Sequence, residues 1–143
     1  MPALRRIGHK GADHIAPGNT PESFDAALTH GVDMIEFDVL PENVHEPAAG
    51  ALRLAHDYSH DISSAPTLEE GLAHLAGAAF ADIELDVDLK LPGYEARVVE
   101  ALRAHGLVER TLVSTQYMRS LVLLRELEPA LRLGWSVPRV KRD

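Results

Sequence analysis

Apolar positions along this chain recur at two different spacings, and the spacing switches repeatedly from the first residues to the last. Leu4 to Gly8 is a run of strand length that ends at the turn Gly8-His9-Lys10-Gly11. Thr20-Pro21-Glu22 then predicts a helix start, because threonine caps well and proline suits the first helical position. Phe24, Ala27 and Leu28 share one face of that helix, and Gly31 ends it. Met34 to Leu40 reads as a strand, Pro41 to Gly50 as a loop, and Ala51 to Ala55 as a second strand ending at His56-Asp57. Thr67-Leu68-Glu69-Glu70 has the reciprocal capping pattern and predicts a helix through Leu75. Ile83 to Leu89 alternates strictly, as a strand does. Tyr94 to His105 is helical, with Val98, Val99 and Leu102 on one face and Gly106 after it. Thr111 to Ser114 is a strand, Met118 to Leu127 a helix stopped near Pro129, and Leu131 to Val137 a last strand-like run.

Strand followed by helix, repeated, predicts a parallel sheet with helices packed outside it. One passage departs from this order, where a loop replaces the helix after Leu40. About six strands are expected, whereas a closed (β/α) barrel has eight and typically about 250 residues. The basic tail at Arg139, Lys141 and Arg142 shows no pattern of a closing helix.

Composition narrows the picture. At 143 residues, with 45% hydrophobic and 25% charged positions, one globular domain is expected. No apolar run reaches about 18 residues, so no transmembrane segment is expected. No apolar stretch follows Arg5-Arg6, so a secretory signal is not expected either. The chain has no cysteine, which removes disulfides and thiolate metal sites and suits a cytoplasmic protein. Net charge is −8, from 14 Lys+Arg against 22 Asp+Glu. That sign disfavours nucleic acid as a partner, and an anionic substrate would need a local cationic site.

Two strands carry acidic faces. Glu36 and Asp38 share one side of Met34–Leu40, while Ile35, Phe37 and Val39 share the other. In the strand near residue 86, Glu84, Asp86, Asp88 and Lys90 oppose an apolar face. A strand end emerging into solvent explains one such pattern alone. Two of them facing one cavity would bring carboxylates close enough to hold a hard divalent cation, with Lys90 at the rim. His9 and His56 each sit where a strand gives way to a loop, and a histidine there can move protons near neutral pH. The other six histidines read as surface or loop residues.

Taken in order, these segments resemble the glycerophosphodiester phosphodiesterase family. "GHKGAD" resembles its opening His-Arg-Gly turn, and "APGNTPESFDAALTHGVDMIEFDV" its Pro-Glu-Asn-Thr, helix and Glu-x-Asp segment. "LAHD", "APTLEEGL", "LDVDLKLPG", "TLVSTQ" and "EPALRLGWSV" resemble the segments that follow. The resemblance implies an α/β fold of the (β/α)8 TIM-barrel type. It implies one domain over residues 1–143, spanning about the first two thirds of the barrel and lacking its C-terminal part. It also implies metal-dependent hydrolysis of a small-molecule glycerophosphodiester to glycerol 3-phosphate and an alcohol. By that likeness Glu36, Asp38 and Asp88 are the ligands of Ca2+ or Mg2+, His9 and His56 are the acid–base pair, and Lys10 and Lys90 meet the phosphate. Two other readings stand beside it: a phosphodiester lyase of the sphingomyelinase D type, and a non-catalytic fragment that binds metal or phosphate. Three positions depart from the family pattern. Lys10 stands for arginine, Gly18 for glutamate, and Asp88 for the commoner glutamate.

Overall fold

A computed structural model describes residues 3–138. The basic tail of Arg139, Lys141 and Arg142 lies outside them. The elements follow the expected order: β1 (Ile7–His9), α1 (Pro21–Thr29), β2 (Met34–Pro41), β3 (Leu52–Leu54), α2 (Leu68–Leu75), β4 (Glu84–Leu89), α3 (Glu95–Ala104), β5 (Thr111–Thr115), α4 (Met118–Leu127) and β6 (Arg132–Trp135). Short 3-10 turns at Ala78–Phe80 and Val108–Arg110 add to this list. No helix among the described residues is long and apolar enough to cross a membrane.

Both threonine caps form as the sequence predicts. The Thr20 hydroxyl accepts from Ser23 N–H at 3.2 Å, and the Thr67 hydroxyl accepts from Glu70 N–H at 3.0 Å. Each bond satisfies a donor that the first helical turn would otherwise leave unpaired.

The six strands form one sheet, ordered β1-β2-β4-β5-β6, with β3 attached to β2. Every pairing along that path is parallel. The count of six therefore holds, but the parallel direction extends to five of them. β3 runs antiparallel to the last residues of β2, with Val39 opposite Leu54 and Pro41 opposite Leu52. The cause is the loop in place of a crossover helix: a chain that turns back through Pro41 to Gly50 can only return antiparallel.

Alternation along the strands separates two layers. Ile35, Phe37, Val39, Leu85, Val87, Leu89 and Val113 point under the helices and are fully buried. They pack with Phe24, Leu72, Leu75, Val98, Leu102 and Leu124 into one core. The opposite face, which would line a barrel, carries Glu36, Asp38, Glu84, Asp86 and Asp88. Apolar burial on the helix side stabilises the sheet, so the polar side is left for other work.

Candidate active site

The site is built from the first turn outward. β1 ends at His9, and the backbone then takes positive φ at Lys10 (52°) and Gly11 (87°). Ser23, on α1, holds this turn: its hydroxyl donates to Lys10 O at 2.7 Å and accepts from Ala12 N–H at 2.6 Å. A β-carbon on Gly11 would lie 2.3 Å from that hydroxyl, so only glycine fits. The turn aims Lys10 N–H at Glu36 Oε1 (3.1 Å) and Gly11 N–H at Glu36 O (3.2 Å).

Glu36, Asp38 and Asp88 converge, with one oxygen from each lying within 4.8 Å of the others. Parallel pairing of β2 with β4 sets Asp38 level with Asp88 and Glu36 level with Asp86. Asp38 is 1% exposed and sits in a two-way amide clasp with Asn19. Asn19 Nδ2 donates to Asp38 Oδ2 at 3.1 Å, and Asp38 N–H donates to Asn19 Oδ1 at 3.0 Å. Asn19 itself holds a positive φ of 60°. Burial, followed by the charge of Asp38, pushes the Glu36 carboxyl up to about 8.

Lys90 reaches into this group. Its Nζ lies 2.6 Å from Asp88 Oδ2 and 3.1 Å from Asp38 Oδ1. Burial works against the ammonium charge, but the bond to Asp88 and the field of Asp38 outweigh it and raise the Lys90 pKa. The Tyr94 hydroxyl fixes the Lys90 backbone. It donates to Val39 O at 2.5 Å and accepts from Lys90 N–H (3.1 Å) and Leu91 N–H (3.3 Å). Asp86, though on the same face, bonds to Ser114, whose hydroxyl lies 2.7 Å from Asp86 Oδ1 and 3.0 Å from Asp88 Oδ1. Burial drives the Asp86 carboxyl up to about 6.

The two histidines flank the carboxylates in like manner. His9 Nδ1 lies 3.0 Å from Asp13 Oδ2, and its Nε2 lies 4.0 Å from Glu36 Oε1. His56 Nδ1 lies 3.2 Å from Asp57 Oδ2. The Ser59 hydroxyl and backbone N–H, together with His56, hold the Asp57 carboxyl well below the usual range. A carboxylate oxygen accepts, so pairing through Nδ1–H leaves Nε2 of each ring free of its aspartate. His56 reaches the site by a different route from the one its sequence position suggests. β3 is antiparallel and runs back toward Asp38, with Ala55 N–H donating to Asp38 O at 3.2 Å. His56, Asp88, Lys90, Tyr58 and Tyr117 line one cavity of about 450 Å³.

Of the seven residues predicted from sequence, Glu36, Asp38, Asp88 and Lys90 meet directly. His9 adjoins Glu36, and His56 joins through the shared cavity. Lys10 contributes its backbone to Glu36, while its side chain lies beside Gly18 and forms no ion pair among the described residues. A β-carbon at Gly18 would stand 3.0 Å from Lys10 Cβ, so a larger residue at position 18 would crowd the Lys10 side chain. The supporting contacts of Ser23, Tyr94 and Ser114 carry no sequence signal. Asn19 carried one, its place in the motif "GNT".

The donor set fits a hard divalent cation. It consists of carboxylate oxygens alone, and the Lys90 ammonium already seats a positive charge between two of them. Parallel strands with a polar site at their carboxyl ends are the arrangement of a (β/α) barrel, present here in part. Comparison with known proteins then narrows it. Residues 9–40 match the glycerophosphoryl diester phosphodiesterase family. No curated protein matches the chain in sequence. Among solved structures, a glycerophosphodiester phosphodiesterase from Agrobacterium tumefaciens is similar at a TM-score of 0.74 and 25% identity, over 92% of this chain and 66% of that one. Another from Parabacteroides distasonis gives 0.74 and 21%, over 92% and 64%. A phosphodiesterase from Oleispira antarctica, solved with its product sn-glycerol-3-phosphate, gives 0.69 and 23%, over 95% and 68%. The chain thus resembles this family in its first segment and in fold, and it spans about two thirds of the length of these relatives.

Proposed function

We propose that residues 1–143 form the part of a glycerophosphodiester phosphodiesterase domain that carries its catalytic groups, and that the domain hydrolyses a glycerophosphodiester to glycerol 3-phosphate and an alcohol. The observation that supports this most is the convergence of Glu36, Asp38 and Asp88 within 4.8 Å, flanked by two histidines of like polarity. The Agrobacterium and Oleispira relatives support the substrate class.

Glu36, Asp38 and Asp88 would hold the metal, and oxygen-only coordination favours Ca2+ or Mg2+. When bound, the cation supplies Lewis-acid stabilisation of charge on the phosphoryl oxygens. The chain's own residues do the rest. Asn19 keeps Asp38 oriented, so its carboxylate need not reorganise when a ligand arrives. Lys10 and Lys90 attract the phosphate on an otherwise acidic molecule. Nε2 of one histidine takes a proton from the attacking water as its oxygen bonds phosphorus. The other histidine enters the step as the imidazolium, protonated on both nitrogens, and its Nε2–H gives a proton to the alkoxide as the bond from phosphorus to the alcohol oxygen breaks. Asp13 and Asp57, each beside one ring, stabilise the imidazolium that donates and the one that forms.

The test is product release from glycerophosphocholine, with and without a chelator. Glycerol 3-phosphate that appears only with Mg2+ or Ca2+, and is lost in His9→Ala, supports the reading. A cyclic phosphate as the end product would instead favour the lyase chemistry.

A further inference from the structure

The Lys90 ammonium is not placed as a free phosphate contact. It lies 2.6 Å from Asp88 and 3.1 Å from Asp38, two of the three carboxylates of the cation cluster. Both oxygens it engages belong to groups with little exposure to water, so the contact is a strong one. Its backbone is pinned by the Tyr94 hydroxyl, so the side chain is delivered to that position rather than sampling it by chance. Lys10, the other cation of the site, makes no such commitment among the described residues.

We propose that Lys90 is the resident cation of the carboxylate cluster, and that a divalent metal and Lys90 exchange places on Asp38 and Asp88. The inference rests on the metal reading given above and deepens it. Metal entry removes the need for the ammonium and repels it. The flexible four-carbon stem then lets the head swing out while the backbone stays fixed. Lys90 is thereby released for a phosphate at the moment the metal is in place. Metal and phosphate consequently bind with positive coupling, and each raises the affinity of the other by the same factor. Without metal, Lys90 offsets part of the charge on Asp38 and Asp88 and, so engaged, is held back from phosphate.

The experiment is calorimetric titration of the protein with Mg2+ alone, with inorganic phosphate alone, and with phosphate at saturating Mg2+. It uses wild type, Lys90→Met, Lys90→Gln and Lys10→Met, with folding checked by circular dichroism. Removing the competitor should tighten Mg2+ binding about tenfold in both Lys90 variants, within the 5- to 150-fold usual for coupled sites. In the same variants the gain in phosphate affinity on Mg2+ saturation should shrink to the direct metal–phosphate part. Lys10→Met should leave Mg2+ affinity nearly unchanged. A Lys90 variant that unfolds without cation and refolds on Mg2+ addition also supports the exchange. Equal or weaker Mg2+ binding in the Lys90 variants would overturn it, as would an equal gain in Lys10→Met, since charge alone would then suffice. If neither wild type nor any variant binds Mg2+, the metal reading itself falls along with this inference.

Discussion

Glu84 and Asp88 lie on the same face of β4, about 13 Å apart along the strand, and their surroundings treat them in opposite ways. At the amino end, Glu84 meets two arginines, Arg5 ahead of β1 and Arg132 on β6, the latter at 2.8 Å. These partners, Arg5 first, hold the Glu84 carboxyl down to about 2. At the carboxyl end, three carboxylates converge, one lysine pairs with two of them, and the Glu36 carboxyl is pushed up to about 8. One end of the sheet is closed by matched charge and serves stability. The other is short of positive charge and has room for a cation. This division follows the general rule for parallel β/α sheets, in which the carboxyl ends of strands carry the chemistry and the amino ends the stability.

The comparison breaks most visibly at His9. Its side chain is 65% exposed and packs against little, so His9→Ala should lower turnover by roughly 100- to 10,000-fold while leaving the melting temperature unchanged. A variant that kept its activity would remove His9 from the acid–base pair. Asn19→Ala sharpens the contrast differently, because it leaves the buried Asp38 Oδ2 and N–H without the Asn19 amide, while Lys90 still holds Oδ1. The expected loss is about 1–3 kcal/mol of stability, read by urea denaturation, together with weaker metal binding. At the other end, Glu84→Gln should cost only a few degrees in melting temperature and leave metal affinity intact, since both arginines are half exposed.

The acid side of the stability profile tests the same end. The folded pKa of Glu84 is depressed from an ordinary 4.5 to about 2. Its contribution is therefore fully present above about pH 4.5 and is lost as the pH falls toward 2. Denaturation midpoints measured across that window should fall more steeply in wild type than in Glu84→Gln. Parallel profiles would mean that the arginines do not hold Glu84.

Much of this was legible in the sequence because it depends on local chemistry. Thr20-Pro21 and Thr67 announce their helices, and strict alternation over Ile83–Leu89 announces both the buried and the acidic face of β4. The pair Glu36 and Asp38 needs only the two-residue period of a strand to share a side. The direction of β3 follows from the crossover helix that the sequence lacks after Leu40, since a parallel return needs one, although the alternation elsewhere points to a parallel sheet. Tyr94, by contrast, reaches Val39 across 55 residues of chain, a distance at which pattern carries no information, and the motif that marks Asn19 does not say that it meets Asp38. The seat of Lys90 on Asp38 depends on β2 and β4 pairing in a register that brings Asp38 level with Asp88.

The claim that the two ends differ in kind comes down to where a divalent cation acts. Melting temperatures of wild type, Asp88→Asn and Glu84→Gln, each measured with a chelator and with Mg2+ or Ca2+ in large excess, address it directly. At about 100 times its dissociation constant the cation should add about 2.7 kcal/mol. That should appear as a rise of several degrees in wild type and in Glu84→Gln, and as little or no rise in Asp88→Asn. An equal rise in Asp88→Asn, or no rise in wild type, would contradict the account.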